Sequence, residues 1–111
     1  MPANLLFVCS KNKWRSPTAE SIYRRDPRVN VRSAGTSSGA RKKITAQDLI
    51  WANFVLVMEQ KHKIIIAQQY RHLDLPEIIV LDIPDDYQYM SEELVEMIQA
   101  STESLLNNLE D

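Results

Sequence analysis

Three short apolar runs, each followed by a segment long enough for a helix, constrain the fold of this chain more than any other feature. The runs cover residues 5–8, 54–58 and 78–83. Continuous apolar runs of this length fit strands that are buried on both faces, as in a parallel sheet covered by helices. Residues 30–34 supply a further strand candidate. The alternation predicts an α/β fold with a small four-stranded parallel sheet and helices on both faces.

Helix start signals lie between these runs. Ser16 is predicted to cap the first helix, with Pro17 at the first helical position, where its missing N–H costs no hydrogen bond. The loops predicted at 35–43 and 84–90 follow strands, at the edge where open parallel sheets bind ligands. The other predicted helices are a short one opened by Thr45 with Ile44, Leu49 and Ile50 as apolar positions, one over 60–70 carrying Ile64, Ile65 and Ile66, and one from Ser91 to about Asn108.

The composition argues against nucleic-acid-binding, membrane-spanning and disulfide-rich classes of protein. The 111 residues suit one domain over 1–111, and the net charge of −2 argues against a nucleic-acid or anionic-membrane partner. No apolar run approaches the roughly 20 residues of a membrane span, and the first ten residues lack the features of a signal peptide. A single cysteine excludes an internal disulfide and a Cys-rich zinc site. We therefore expect a soluble, cytoplasmic protein.

Cys9 and Arg15 are separated by five residues at the predicted strand-to-helix turn. Such a turn wraps backbone N–H groups around an anion and directs a helix N-terminus at it. Arg15 adds a permanent charge that binds two phosphate oxygens at once. Because cysteines in such positive surroundings lose their proton readily, Cys9 is predicted to be a thiolate nucleophile. The alternative is that Cys9 is a small apolar residue ending a buried strand. The Arg15-Ser16-Pro17 context favours catalysis.

Phosphate transfer to a thiolate requires a proton for the leaving group, so an acid is expected on another loop at the same edge. Asp85 and Asp86 follow the third apolar run and are the candidates. An ordinary polar turn after Pro84 is the alternative interpretation. Tyr87 either walls the pocket or covers the core.

Together these residues resemble the low-molecular-weight protein tyrosine phosphatase family, whose signature is a cysteine, five residues and Arg-Ser near the N-terminus. The resemblance covers most of the chain in the same order. The matching positions are Cys9, Arg15, Ser16, Pro17, Ala19 and Glu20, the run Ser33-Ala34-Gly35-Thr36, the run Val55-Leu56-Val57-Met58-Glu59, and Asp85 with Tyr87.

The resemblance implies roles for several residues of this chain. Cys9 forms a phosphoenzyme, Arg15 binds phosphate, and Asp85 protonates the leaving group and then activates water. The reaction needs no metal or cofactor, and inorganic phosphate is its product. The implied substrate-binding positions are Ser10, Lys11, Asn12, Lys13, Trp14, Ser16, which also stabilises the thiolate, and Tyr87, while Ser33 supports Asn12.

The chain departs from the family pattern at four places. Lys11 replaces a loop glycine, which would strain the backbone if that position requires an unusual angle. Trp14 stands where many members carry a second cysteine, so the disulfide that those members form on oxidation is absent. Asp86 replaces the proline after the general acid. The loop after Thr36 is shorter than usual, which predicts a shallower and more open cleft.

Basic residues gather around the predicted loop. They would favour acidic or multiply phosphorylated substrates, unless they are ordinary solvated surface residues. His62 and His72 have no partners at ligand spacing and are expected at the surface or the edge of the core. The basic residues concerned are Lys11, Lys13, Arg41, Lys42 and Lys43.

The sequence therefore predicts a cysteine-dependent phosphatase acting on phosphate monoesters, with protein phosphotyrosine as the favoured substrate and a small ester as the other. One alternative is a noncatalytic module that binds a phosphorylated partner. A thiol-dependent arsenate reductase ranks lower, because that chemistry needs further cysteines and Cys9 stands alone.

Overall fold

A computed structural model describes residues 2–109, in which strands and helices alternate without exception. This confirms the predicted α/β fold with a four-stranded parallel sheet. The elements are β1 (Ala3–Cys9), α1 (Arg15–Tyr23), β2 (Val29–Gly35), α2 (Ala46–Trp51), β3 (Phe54–Val57), α3 (Gln60–Gln69), β4 (Glu77–Val80) and α4 (Glu92–Leu109).

The strand order is β2-β1-β3-β4, and every pairing is parallel. β1 lies between β2 and β3, with Cys9 opposite Gly35 and Val8 opposite Val57. All four carboxyl ends therefore meet at one edge of the sheet, where the loops after β1, β3 and β4 come together.

The apolar residues of β1 serve two cores. Leu5, Phe7 and Cys9 pack on the face covered by α1 and α4, whereas Leu6 and Val8 pack on the face covered by α2 and α3. Alternate residues of a strand point to opposite faces, so a strand buried on both sides must be apolar throughout. This accounts for the continuous run that the sequence shows and directs Cys9 toward α1.

Helix starts were predicted with mixed success. Thr45 forms a capping box with Asp48, and Ser91 accepts a hydrogen bond from the Leu94 amide at the start of α4, as expected. The prediction for Ser16 is wrong, because Trp14 occupies the N-cap of α1. The Ser16 hydroxyl contacts other groups described below, and Pro17 still falls among the first four residues, whose N–H groups lack helical partners.

Two other expectations are corrected. The strand predicted at 78–83 ends at Val80, because Asp82 adopts a left-handed backbone with φ of 56°. Ile83 nevertheless returns to the core and is buried. Ile50 and Ile64 were predicted as apolar core positions of their helices, but both side chains are exposed, since their neighbours Leu49 and Ile66 occupy the buried face.

No helix within residues 2–109 is both long enough and apolar enough to cross a membrane.

Candidate active site

The loop between β1 and α1 is organised by Asn12. Its φ of 53° is left-handed, a conformation that asparagine adopts more readily than most residues. The buried side chain donates from Nδ2 to Ser16 Oγ at 2.8 Å and to Ser33 Oγ at 2.9 Å. The expected strain at Lys11 does not arise, because the left-handed position in this loop is Asn12.

Ser16 lies against the candidate nucleophile. Its Oγ is 3.0 Å from Cys9 Sγ, and both side chains are buried. Since Asn12 donates to Ser16 Oγ, the serine keeps its own proton, which has two acceptors within reach: Cys9 Sγ and, at 3.3 Å, the Ala34 carbonyl. Behind them Ser33 donates to Glu20 Oε1 at 2.6 Å, which fixes the hydroxyl that receives Asn12. The Ser16 hydroxyl is thus held within hydrogen-bond reach of the Cys9 sulfur.

Arg15 is almost completely buried, with 2% of its surface exposed, and is held from behind. Its Nη1 donates to Glu59 Oε2 at 2.5 Å and to the Ile83 carbonyl at 2.8 Å. Its Nε lies 3.5 Å from Asp85 Oδ1 on the cleft side. The loops after β3 and β4 thus fix the guanidinium that the β1 loop presents.

Glu59 is a site residue to which the sequence analysis gave no role. Burial acts to raise the pKa of its carboxyl, but the hydrogen bond and charge of Arg15 outweigh burial and hold that pKa below its ordinary value. Glu59 therefore stays ionised as the counter-ion of Arg15. The available signal was its position directly after the second apolar run, at the ligand-binding edge of the sheet.

His62 is fully buried, which corrects the expectation of a surface or core-edge position. Its Nδ1 accepts from the Glu59 backbone N–H at 3.1 Å, and its Nε2 lies 2.8 Å from Ser10 Oγ. Burial, assisted by the charge of Arg15, lowers the pKa of His62 to about 4. The ring is therefore neutral at pH 7, and since Nδ1 accepts, Nε2 carries the proton and donates to Ser10.

A cleft of about 410 Å³ opens where these loops meet. Asp85 and Asp86 are both exposed, but Asp85 lines the cleft and Asp86 does not. Lys61, which the sequence analysis did not consider, lies at the mouth. The lining residues are Cys9, Ser10, Lys11, Lys13, Trp14, Arg15, Lys61 and Asp85.

The remaining predicted positions lie away from the cleft surface. Asn12, Ser16 and Ser33 are buried beneath the loop. Tyr87 packs against the core on the α1 and α4 face and is not among the residues that line the cleft. Within residues 2–109, no group of three His, Cys, Asp or Glu side chains is placed to hold a metal ion.

Comparisons with known proteins agree with this architecture. The family model for low molecular weight phosphotyrosine protein phosphatase matches residues 4–82. A protein-arginine-phosphatase of Bacillus subtilis (strain 168) is 31% identical over 94 residues, covering 60% of this chain and 63% of the relative. The match thus spans less than two thirds of that protein's length.

Two solved structures share the fold. The YwlE arginine phosphatase from Geobacillus stearothermophilus superposes with a TM-score of 0.73 at 22% identity, covering 96% of this chain and 95% of that one. The tyrosine phosphatase Wzb from Escherichia coli K30, in complex with phosphate, gives 0.75 at 22% identity over 98% and 99% of the two chains. Since the family model spans well over half of the sequence, the chain belongs to the low molecular weight phosphotyrosine protein phosphatase family.

Proposed function

We propose that this protein is a metal-independent phosphatase in which Cys9 is the nucleophile, Arg15 binds the phosphoryl group and Asp85 is the general acid. One observation carries the proposal: Cys9 Sγ, 3.0 Å from the Ser16 hydroxyl, opens into the same cleft as Arg15 and Asp85. A nucleophile, an anion-binding group and a proton donor are the three components that phosphate transfer to sulfur requires.

In the first step the Cys9 thiolate attacks phosphorus, and the bond from phosphorus to the leaving group breaks as the S–P bond forms. Asp85, in its protonated form, gives its proton to the leaving atom. Arg15 binds the phosphoryl oxygens through Nε and Nη2, since Nη1 is occupied by Glu59 and Ile83, and in the described part of the chain Nη2 has no protein partner. The product is a phosphocysteine.

In the second step water attacks phosphorus and the S–P bond breaks. Asp85, now a carboxylate, accepts the proton of that water. Inorganic phosphate leaves, and Cys9 returns to the thiolate, which the Ser16 hydroxyl stabilises. No metal or redox partner enters either step.

Side chains of the loop contribute further contacts. Ser10 accepts from His62 and so has its own hydroxyl proton free to donate to a phosphoryl oxygen. Lys11 and Lys13 attract the phosphate, and Trp14 offers an aromatic surface to the group that carries it. Asn12 and Ser33 support the loop from beneath.

The proposed substrates are phosphorylated proteins, with phosphotyrosine as the first candidate. Phosphoarginine is the second, supported by the protein-arginine-phosphatase of Bacillus subtilis that this chain resembles. Both fit the same two steps, because Asp85 protonates a phenolic oxygen in one case and a guanidine nitrogen in the other. We propose a cytoplasmic location, since a reactive thiolate survives in a reducing compartment.

Hydrolysis of para-nitrophenyl phosphate in the presence of a chelator tests the mechanism. Turnover by the wild-type protein that disappears in Cys9→Ser and falls steeply in Arg15→Lys is the expected result. Reduced, folded protein without turnover at any pH would refute catalysis and leave a noncatalytic phosphate-binding module. Arsenate reduction with an external thiol, in place of phosphatase turnover, would identify an arsenate reductase.

Phosphotyrosine and phosphoarginine peptides of one sequence then compare the two substrate classes. Release of phosphate from the phosphotyrosine peptide at the higher kcat/KM supports the first candidate, and the reverse order supports the second. Cys9→Ser is the control in both arms.

A further inference from the structure

A second, more open groove lies beside the cleft along the outer side of α1. Its volume is about 370 Å³. We name it the basic groove, because three of its lining residues are cations. Its polar and charged lining residues are Lys13, Glu20, Ser21, Arg24, Arg41 and Tyr89.

The charge of the basic groove is strongly unbalanced. Lys13, Arg24 and Arg41 face a single carboxylate, Glu20. That carboxylate is engaged on its buried side, where Oε1 accepts from Ser33 at 2.6 Å. The chain as a whole carries a net charge of −2, so this local positive charge does not reflect a basic protein. It marks a surface suited to an anionic group.

Two of the three cations are tied to the catalytic loop: Arg41 is hydrogen-bonded to it, and Lys13 is part of it. Arg41 donates from Nε to the Asn12 carbonyl at 3.0 Å, and its backbone N–H donates to the Lys11 carbonyl at 2.9 Å. Its terminal guanidinium nitrogens have no hydrogen-bond partner among residues 2–109, so they are available to a ligand. Lys13 lines both the cleft and the basic groove, so the two cavities are adjacent.

The far end of the basic groove is formed by Arg24 at the C-cap of α1, beside the hydrogen bond of 2.7 Å between Ser21 and Tyr89. Arg15 and Arg24 stand nine positions apart on or at the end of this helix, which separates their Cα atoms by roughly 13 Å. An extended peptide covers that distance in about four residues. A ligand anchored at Arg15 by its phosphate therefore needs at least about four residues to bring a group to Arg24, and fewer to bring one to Lys13, which lines both cavities.

We propose that the basic groove is a subsite for a second anionic group of the substrate, a carboxylate or a further phosphate, about two to four residues from the phosphorylated residue that enters the cleft. The proposal rests on the proposed function, because it takes the phosphate in the cleft as the anchor. It defines the preferred substrate as an acidic or multiply phosphorylated segment of protein.

Peptide binding tests the subsite without requiring turnover. Three fluorescent peptides carry the same nonhydrolysable phosphonate analogue of phosphotyrosine. They differ at the positions two to four residues to either side of it, where the first has glutamine, the second glutamate and the third phosphoserine. Fluorescence anisotropy at low salt gives their dissociation constants for the wild-type protein and for Arg24→Gln. Arg25→Gln is the matched control, since Arg25 is adjacent and exposed but does not line the basic groove.

The glutamate and phosphoserine peptides are expected to bind about three- to tenfold more tightly than the glutamine peptide. Arg24→Gln should abolish this preference, whereas Arg25→Gln should retain it. In 1 M salt the wild-type protein should also lose the preference, because charges are then screened beyond about 3 Å. A preference for phosphoserine alone would identify phosphate as the anion, and an equal preference would assign the subsite to either group.

Three outcomes overturn the proposal: no preference for either acidic peptide, the same loss in both arginine variants, or failure of all three peptides to bind. Turnover of para-nitrophenyl phosphate, measured in parallel, should be unchanged in Arg24→Gln. Absence of that turnover in the wild-type protein refutes the proposed function, whereas peptide preference without turnover still supports the subsite.

Discussion

A Cβ atom on Gly35 would lie 2.6 Å from the Ser10 carbonyl oxygen, which is closer than two such atoms pack. The same Cβ would lie 2.9 Å from the backbone nitrogen of Asn12. Both neighbours are backbone atoms and have no rotamer by which to move aside. The end of β2 approaches the loop between β1 and α1 because residue 35 has no side chain.

Gly35→Ala is therefore expected to push the loop away from β2 and displace Arg15 from Cys9. A displacement of about 1 Å lowers kcat/KM on the order of 100-fold. Turnover of para-nitrophenyl phosphate measures the effect. Gly39→Ala is the matched control, since a Cβ there meets only Ser37 Oγ at 4.0 Å. Equal activity of the two variants would contradict the close packing of loop and strand.

The two adjacent carboxylates are predicted to differ in effect. Asp85 lines the cleft and lies 3.5 Å from Arg15 Nε, while Asp86 is exposed outside it. Asp85→Asn should lower kcat by about 10²- to 10⁴-fold on substrates with poor leaving groups and by less on para-nitrophenyl phosphate. Asp86→Asn should retain wild-type rates. Loss of turnover in Asp86→Asn alone would reverse the assignment of the acid.

The Ser10 hydroxyl is predicted to contribute a hydrogen bond to the transferring phosphoryl group. Ser10→Ala removes it and should lower kcat roughly 10- to 100-fold, the range for one hydrogen bond to a charged group. Ser10→Thr keeps the hydroxyl and should restore most of the rate. If the alanine variant matches the wild-type kcat while its melting temperature falls, the hydroxyl acts on stability alone.

Much of the fold followed from local pattern. The apolar runs located three of the four strands, and capping residues such as Thr45 and Ser91 marked where helices begin. The end of β4 was misplaced, because Ile83 is apolar and buried yet lies beyond the turn at Asp82. An apolar run indicates which residues are buried, and here buried residues continue beyond the end of the strand.

The candidate site was predictable where its residues are close in sequence. Cys9, Arg15 and Ser16 share one turn, so their spacing alone suggested an anion site. Glu59, at the N-cap of α3, and His62, in its first turn, contact that loop from more than 40 positions away, through contacts that only the sheet order creates. The periodicity of a single sequence carries no information on which distant residues come into contact. In a sequence, a histidine that is buried cannot be told from one that lies at the surface.

The buried His62 should make folding stability depend on pH in a defined window. Its pKa is lowered from 6.5 to about 4 in the folded protein, so the unfolded chain binds more protons between those values. The stabilisation is complete above pH 6.5 and is lost as the pH falls toward 4, by up to about 3 kcal/mol.

His62→Gln removes this titration. At pH 7.5 the free energy of unfolding of the variant should be lower than that of the wild-type protein, because the imidazole hydrogen bonds with Ser10 and with the Glu59 backbone N–H are lost. On acidification, however, it should fall less steeply than that of the wild-type protein. Urea unfolding at several pH values measures both quantities, and His72→Gln, at the exposed second histidine, should follow the wild-type curve. Parallel curves for wild type and His62→Gln would show that His62 titrates normally in the folded state.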